Sequence, residues 1–321
     1  QAWAWTKGLQ ARVCNGLVRG PRGADQRDGL STSSPALAAL ASKQMGGSQC
    51  RGAVCECPKG SHVDNAERVG SSEPSMVKAL SKSHDSHPVY VFEDGARYTG
   101  EWRGPLRHGY GTHLETDGSV YEGEWVEDKA HGFGRLQHAD GASYEGEWRF
   151  SMKHGSGTYL HADSSKYVGQ WVDDCQSGDG TEEWCDAAKY CGQYAGGRKN
   201  GNGKYLWSNG SYFEGQFVDN DIHGIGIYVW NDGCMYEGQW VKQQMDGKGK
   251  FKYPDGRTYE GEYRCNLKSG IGIFRWPDGR EYDGQWQDGE KHGLATWTED
   301  GRAQDSTRWE HGKRVNAEGA P

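Results

Sequence analysis

Long apolar runs are missing from this chain. No stretch approaches the roughly 18–20 residues that a membrane-spanning helix needs, so the sequence offers no transmembrane helix. Apolar residues are scarce overall, at 34% of 321. That is too few for a globule around one deep core and better suited to a thin, extended structure. A basic surface is missing too: residues 1–88 hold 11 Lys and Arg against 7 Asp and Glu, whereas residues 89–321 hold 26 against 38, an excess of −12. Such a surface argues against adhesion to nucleic acid or to anionic lipid by charge alone. No secretory signal is recognisable, and the nine cysteines are an odd number. Cys175, Cys185, Cys191, Cys234 and Cys265 follow no common spacing, and reduced thiols in a cytosolic protein are the expectation.

What is abundant is glycine (50 residues), tyrosine (17) and tryptophan (14). Flat rings bury a large area against glycine-lined backbone at little entropic cost, so the expected core is aromatic and shallow. These residues keep a strict period. A Tyr-x-Gly-x-aromatic element recurs every 23 residues, from Tyr98-Gly100-Trp102 through Tyr121-Gly123-Trp125 and Tyr144-Gly146-Trp148 to Tyr282-Gly284-Trp286. Phe213 takes the tyrosine position once. The next step lands on Asp305, Thr307 and Trp309, where only the last aromatic survives. A fixed period with an atypical terminal copy marks a linear array of small units.

Inside each unit the alternation has a period of two, which puts Tyr121, Gly123 and Trp125 on one strand face and Glu122 and Glu124 on the other. A second alternating run is clearest as Tyr205-x-Trp207, Tyr228-x-Trp230, Phe251-x-Tyr253 and Phe274-x-Trp276, and it ends in pairs such as Asp117-Gly118 and Asn209-Gly210. Such pairs signal hairpins, because both residues tolerate positive φ. The predicted fold is all-β: an elongated single-sheet ribbon of tandem 23-residue β-hairpin repeats, advancing about 10 Å per unit. The glycine between the paired aromatics is predicted to let a neighbouring ring lie on the backbone. Three segments follow: an aperiodic leader over 1–88, predicted to be disordered, whose part before Met45 reads as a spurious or a targeting segment; nine full repeats and a degenerate tenth over 89–312; and a short tail over 313–321.

Tyr-x-Gly-x-Trp, then His-Gly-x-Gly (His108-Gly109-Tyr110-Gly111, His131-Gly132-Phe133-Gly134, His154-Gly155-Ser156-Gly157, His223-Gly224-Ile225-Gly226), then Asp-Gly, all within 23 residues, resembles the MORN (membrane occupation and recognition nexus) repeat. The resemblance covers about residues 90–312. Asp163-Ser164 and Asp186-Ala187 depart from it by losing the turn glycine, and His292-Gly293-Leu294-Ala295 by losing the second glycine. Unit five, Tyr190-Cys191-Gly192-Gln193-Tyr194, is the predicted place for the ribbon to bend or loosen. The resemblance implies a curved ribbon with aromatics lining a groove and a job in tethering or scaffolding. Family members sit at junctions between membranes, in radial spokes of cilia, in the cortical cytoskeleton of protists, and beside phosphatidylinositol-phosphate kinase domains. That narrows the mechanism to binding without naming a partner.

Chemistry is not expected. The repeated histidines recur about 10 Å apart, whereas ligands of one ion lie roughly 2.0–2.3 Å from it, so they read as polar residues closing a turn before a glycine-rich strand and no metal is predicted. The Gly-x-Gly pairs lack a following helix or a P-loop lysine, so no nucleotide or other cofactor is predicted. The acids Glu122, Glu124, Glu145, Glu147, Glu260 and Glu262 read as a solvated face rather than catalytic carboxylates, and no catalytic residue is predicted. A one-layer sheet cannot cover all its rings. Tyr121, Trp125, Tyr144, Trp148, Trp171, Trp207, Trp230, Tyr236, Trp240, Trp276 and Trp286 are therefore the predicted partner-binding face, for a helical segment or a second copy of the array, including a homodimer. Nucleic acid is not an expected partner. Met45-Gly46-Gly47-Ser48-Gln49-Cys50, if translation begins at Met45, offers Gly46 for myristoylation and Cys50, Cys55 and Cys57 for a second acyl group. The alternative leaves Met45 internal and the cysteines incidental. Cys50-x4-Cys55-x-Cys57 with His62 matches no common zinc spacing. The functional expectation is a non-enzymatic scaffold at a membrane or the cortical cytoskeleton. The rivals are an axonemal docking component, which would place the protein in a cilium or flagellum, and an accessory region of a kinase-like or methyltransferase-like enzyme.

Overall fold

The computed structural model describes residues 88–315. The disorder expected of the leader and the candidate acylation sites Gly46, Cys50, Cys55 and Cys57 lie outside the described residues. Twenty-one strands run from β1 (Tyr90–Val91) to β21 (Lys313–Val315), and no helix occurs among the described residues. All belong to one sheet. Each strand pairs antiparallel with its sequence neighbours, starting with β1 on β2 (Arg97–Arg103) and β2 on β3 (Leu106–Leu114), and closing with β20 (Arg302–Glu310) on β21. The ribbon of tandem hairpins is what the alternation and the turn pairs predict. Because the order in the sheet is the order in the chain, each repeat packs on its immediate neighbours alone, the property that makes an array quasi-one-dimensional.

Two kinds of turn alternate. At the Asp-Gly end, residues 115–119 form a tight loop in which Gly118 N donates to the Glu115 carbonyl at 3.1 Å and Glu115 N to the Ser119 carbonyl at 2.8 Å. Here the sequence reading needs correction: only the glycine takes positive φ (Gly118, +93°), while Asp117 accepts the Ser119 N–H at 2.7 Å. Ser164 and Ala187 stand where glycine is lost and take φ of +72° and +67°, so those loops keep their shape at a local backbone cost. The other turn was not legible from glycine. Residue pairs such as Glu127-Asp128 (φ +50° and +64°) and Cys265-Asn266 (+50° and +68°) join the two strands of one repeat with both residues left-handed, the geometry that matches the right-handed twist of a hairpin. Side chains fasten these turns to the preceding repeat: Asp128 Oδ1 accepts Arg107 N at 2.8 Å and Asn266 Oδ1 accepts Met245 N at 2.8 Å.

The core is built on a row of glycines that crosses the sheet. Gly100 pairs with Gly111, Gly111 with Gly123, Gly123 with Gly134, and the row continues through Gly203, Gly215 and Gly226 to Gly284. It ends where Ala295 and then Thr307 replace glycine. A Cβ on Gly203 would lie 2.7 Å from Cε2 and Cζ of Tyr190, because that ring rests flat on the backbone there. This is the packing reason the sequence suggested. The first tyrosine of almost every repeat is fully enclosed, with Tyr98, Tyr144, Tyr167, Tyr190, Tyr236, Tyr259 and Tyr282 at 0% exposure. Each hydroxyl donates to the carbonyl three residues on, as Tyr190 does to Gln193 at 3.0 Å, so none of these seven hydroxyls is stranded. Unit five, expected to loosen, pairs residue for residue with Gly178–Glu183 on one side and shows on the other the shift at its glycine seen elsewhere in the sheet.

Candidate binding surface

The third residue pair of the motif completes the closed core. Trp125 meets Tyr121 edge-on at 5.0 Å and Tyr98 of the preceding repeat at 5.7 Å, and Trp286 meets Tyr282 at 5.2 Å and Tyr259 at 5.1 Å. This herringbone places ring edges on ring faces, the favourable quadrupole geometry. The indoles also tie repeats together, since Trp125 Nε1 donates to the Gly111 carbonyl at 3.1 Å and Trp240 Nε1 to Gly226 at 3.2 Å. The structure therefore divides the eleven predicted face residues. Tyr121, Trp125, Tyr144, Trp148, Trp171, Tyr236, Trp240 and Trp286 are buried within the sheet's own packing, and a partner finds little of them. The expectation that one layer must leave such rings uncovered fails because glycine lets them sink onto the backbone. Trp207, Trp230 and Trp276 belong to a different row and remain half-exposed.

That row is the second alternating run. Trp184 stacks on Tyr205 at 5.3 Å with an interplanar angle of 29°, and contacts of 4.4–6.0 Å then lead through Trp207, Tyr228, Trp230, Phe251, Tyr253 and Phe274 to Trp276 and Trp297. In the first repeats the same places hold His113, Glu115, Leu136 and His138, so the aromatic strip belongs to the second half of the array.

Cations thread between the two rows, a feature that sequence reasoning missed although its signal, a basic residue just before His-Gly or its equivalents, stands in the chain. Lys268 Nζ lies 4.7–5.7 Å from the centroids of Tyr253, Tyr259, Phe274 and Trp286. Lys291 Nζ lies 4.5–5.3 Å from Trp276, Tyr282, Trp297 and Trp309. Ring faces attract such cations, yet burial outweighs this and pushes each ammonium down from the usual 10.5 to about 8. Their counterparts Arg107 and Lys199 have carboxylate partners, Asp128 at 3.2 Å and Glu182 at 3.4 Å. Among the described residues neither the Lys268 nor the Lys291 ammonium has a hydrogen-bond or ion-pair partner.

On the other face the acids are not one solvated set. Glu145 and Glu260 point to solvent, the latter 3.3 Å from Lys250. Glu124 and Glu147 instead fold over Gly132 and Gly155 and accept the N–H of Phe133 at 3.2 Å and Ser156 at 2.9 Å. Gln170, Gln193, Gln216, Gln239 and Gln285 do the same in later repeats. His108, His131 and His154 sit within the second strand at this irregularity and do not close the turn, a correction to the sequence reading. Among the described residues no group of three or more His, Cys, Asp or Glu is placed to hold a metal ion, and no helix is long and apolar enough to cross a membrane.

The sequence profile of the MORN repeat matches nine consecutive segments, 98–120, 121–143, 144–166, 167–187, 190–212, 213–235, 236–256, 259–279 and 282–298, more than half of the chain. The chain belongs to the MORN repeat family. No curated protein matches it. Among solved structures, it is similar at 12% identity to the wild-type TCP10 domain of Danio rerio CPAP, over 69% of this chain and 100% of that one, with a TM-score of 0.36. It is similar at 9% identity to the SAS-4 TCP domain of Drosophila melanogaster in complex with a proline-rich motif of Ana2, over 69% and 99%, with a TM-score of 0.25. Likeness at this level carries no argument about function. The MORN array thus supports a scaffold or binding role through its repeats, and within it the partly exposed aromatic strip distinguishes one half from the other, whereas a ring-enclosed ammonium without an ion pair among the described residues also occurs at Lys153 in the first half.

Proposed function

We propose that this MORN array is a non-enzymatic scaffold that holds a protein partner along the partly exposed strip from Trp184 to Trp276 at a membrane or the cortical cytoskeleton. One observation carries the reading: in a sheet that otherwise sinks its rings onto glycine, this second row keeps partly exposed rings from Trp184 to Trp276, over five repeats, with only Phe274 among them buried. Partly exposed aromatic surface of that extent is what a partner helix or a second array buries. Many modest contacts along a rigid sheet then supply affinity. The membrane half of the reading rests on Met45-Gly46 and the neighbouring Cys50, Cys55 and Cys57.

Two measurements test it. Proximity labelling with the tagged full chain is expected to return a reproducible partner set that Trp207→Ser/Trp230→Ser/Trp276→Ser loses while the melting temperature holds; an unchanged set refutes the binding strip. Mass spectrometry of the native N-terminus, with imaging of the tagged protein, is expected to show acylated Gly46 and a cortical signal. An unmodified upstream start with an axonemal signal refutes the membrane half and favours the docking component of a cilium.

A further inference from the structure

From the pair of unpartnered ammoniums set in the aromatic strip, we infer that the partner segment is an acidic amphipathic helix, lying along the ribbon with carboxylates seven residues apart against Lys268 and Lys291. The inference rests on the proposed binding role of the strip and adds the chemistry of what binds.

Three observations converge. The two lysines occupy equivalent places in successive repeats, hence about 10 Å apart, because each repeat contributes two strands at about 4.8 Å. Seven residues of α-helix rise about 10.5 Å, so carboxylates at i and i+7 on one helix face meet both ammoniums in register. Next, the cations are incomplete as they stand. Rings enclose each on several sides, no carboxylate of the described chain reaches either, and burial has already lowered their proton affinity. An incoming carboxylate supplies the missing charge in surroundings where pairing is strong, at the cost of its own desolvation. Finally, the surface between them is apolar and half-exposed: Trp276 lies between the two lysines, 4.6 Å from Lys291 Nζ, with Tyr253 on the near side of Lys268. Leucine or phenylalanine at i+3 and i+4 of the same helix face would cover it.

Charge elsewhere adds selectivity. Residues 89–321 carry −12 overall, so an acidic helix is repelled from the rest of the ribbon and is accepted where Lys268 and Lys291 stand, with Arg257 and Arg280 beside them. Arg257 and Arg280 are held by their own turn carboxylates, Asp255 and Asp278, which leaves the two lysines as the receptive pair.

The test is a helical-peptide library displayed on phage and selected on the full-length protein, on Lys268→Glu/Lys291→Glu, and on Trp207→Ser/Trp230→Ser/Trp276→Ser. Expected peptides carry Asp or Glu seven residues apart flanking apolar positions. Their binding falls at least about tenfold on the charge-reversed protein and returns there when the two acids are changed to lysine. That reciprocal rescue cannot arise from misfolding, and Lys268→Met/Lys291→Met, which keeps the apolar stems, is expected to weaken binding without lowering the melting temperature. Peptides that need the three tryptophans but show no acidic spacing, or bind the charge-reversed protein equally, overturn this inference and leave the binding strip standing. Enrichment independent of the tryptophans, or none at all, overturns both. Sedimentation with phosphatidylserine vesicles that is lost on Lys268→Glu/Lys291→Glu, with no acidic peptide enriched, makes the lysines a lipid site and equally overturns it.

Discussion

Replacing Gly203 by alanine adds one carbon to the middle of the glycine row and should cost far more than its size suggests. The new Cβ would lie 2.7 Å from Cε2 and Cζ of Tyr190, and the ring has no room to retreat, since Tyr194 and Phe217 press on it edge-to-face at 5.2 Å each. Overpacking of this kind costs about 1–3 kcal/mol. Lifting the ring also breaks the Tyr190 hydroxyl bond to the Gln193 carbonyl, about another 1 kcal/mol. The control is Gly210→Ala in the adjoining loop, where φ is +86° but nothing lies within 4 Å of the added carbon. Only backbone strain of about 1–2 kcal/mol is expected there, a cost the chain already bears at Ser164 and Ala187. Guanidinium titrations followed by tryptophan fluorescence, with hydrogen exchange across β10 (Lys189–Ala195), β11 (Arg198–Leu206) and β12 (Tyr212–Val218), compare the two. Gly203→Ala should destabilise by about twice as much as Gly210→Ala and should lose protection locally, as interface terms in an array are local. Combining it with Tyr190→Leu should recover part of the loss. If Gly203→Ala costs no more than Gly210→Ala, the ring is not seated on bare backbone and the account of the core is wrong.

Other outcomes follow from the same geometry. Lys268 is charged in both states below pH 8 and carries its full burial cost there. Between pH 8 and 10.5 the folded state has lost the proton while the unfolded chain still holds it, so stability should rise across that window by at most about 3 kcal/mol; Lys291, less enclosed, adds a smaller share. Above pH 10.5 the trend should reverse, because unfolded tyrosines ionise while burial pushes the folded ones, Tyr98 and Tyr282 up to about 12 among them, higher. Denaturant midpoints against pH check this, and a Lys268→Met variant that keeps the full rise refutes it. Tyr263→Phe should stabilise by about 1 kcal/mol, since the Tyr263 hydroxyl is buried without a partner; a lower midpoint would count against that. Glu147→Ala should cost about 1 kcal/mol through loss of the Ser156 N–H acceptor while Glu147→Gln should be near neutral, as later repeats use glutamine there. Equal losses in the two variants would mean that charge, not the hydrogen bond, matters.

Much of the architecture could be read from Tyr98 to Trp286 without coordinates. A 23-residue period fixes the unit, a two-residue alternation fixes strands, and Asp-Gly pairs fix one end of each hairpin, because these signals are local and repeat in every copy. The side chains that fasten one repeat to the next were not legible. Asp128 and Asn266 act 21 residues away, and Glu147 acts nine residues away on the facing strand; no local pattern separates them from neighbours such as Glu145 that merely meet water.

The surface was the part most easily misjudged. Alternation assigns each ring a side of its own strand, and the pairing of Tyr205 with Phe213 puts the row of Tyr121 and the row of Trp207 on one face. It does not tell how deep each ring sits. Packing of sequence-distant strands settled that: glycine rows meeting across the sheet let the first aromatic pair sink and close into core, while in the second row Trp207, Trp230, Tyr253 and Trp276, with no such bed, stay partly exposed. A side's identity is a property of backbone geometry within one strand, whereas burial depends on what the neighbouring strands leave room for.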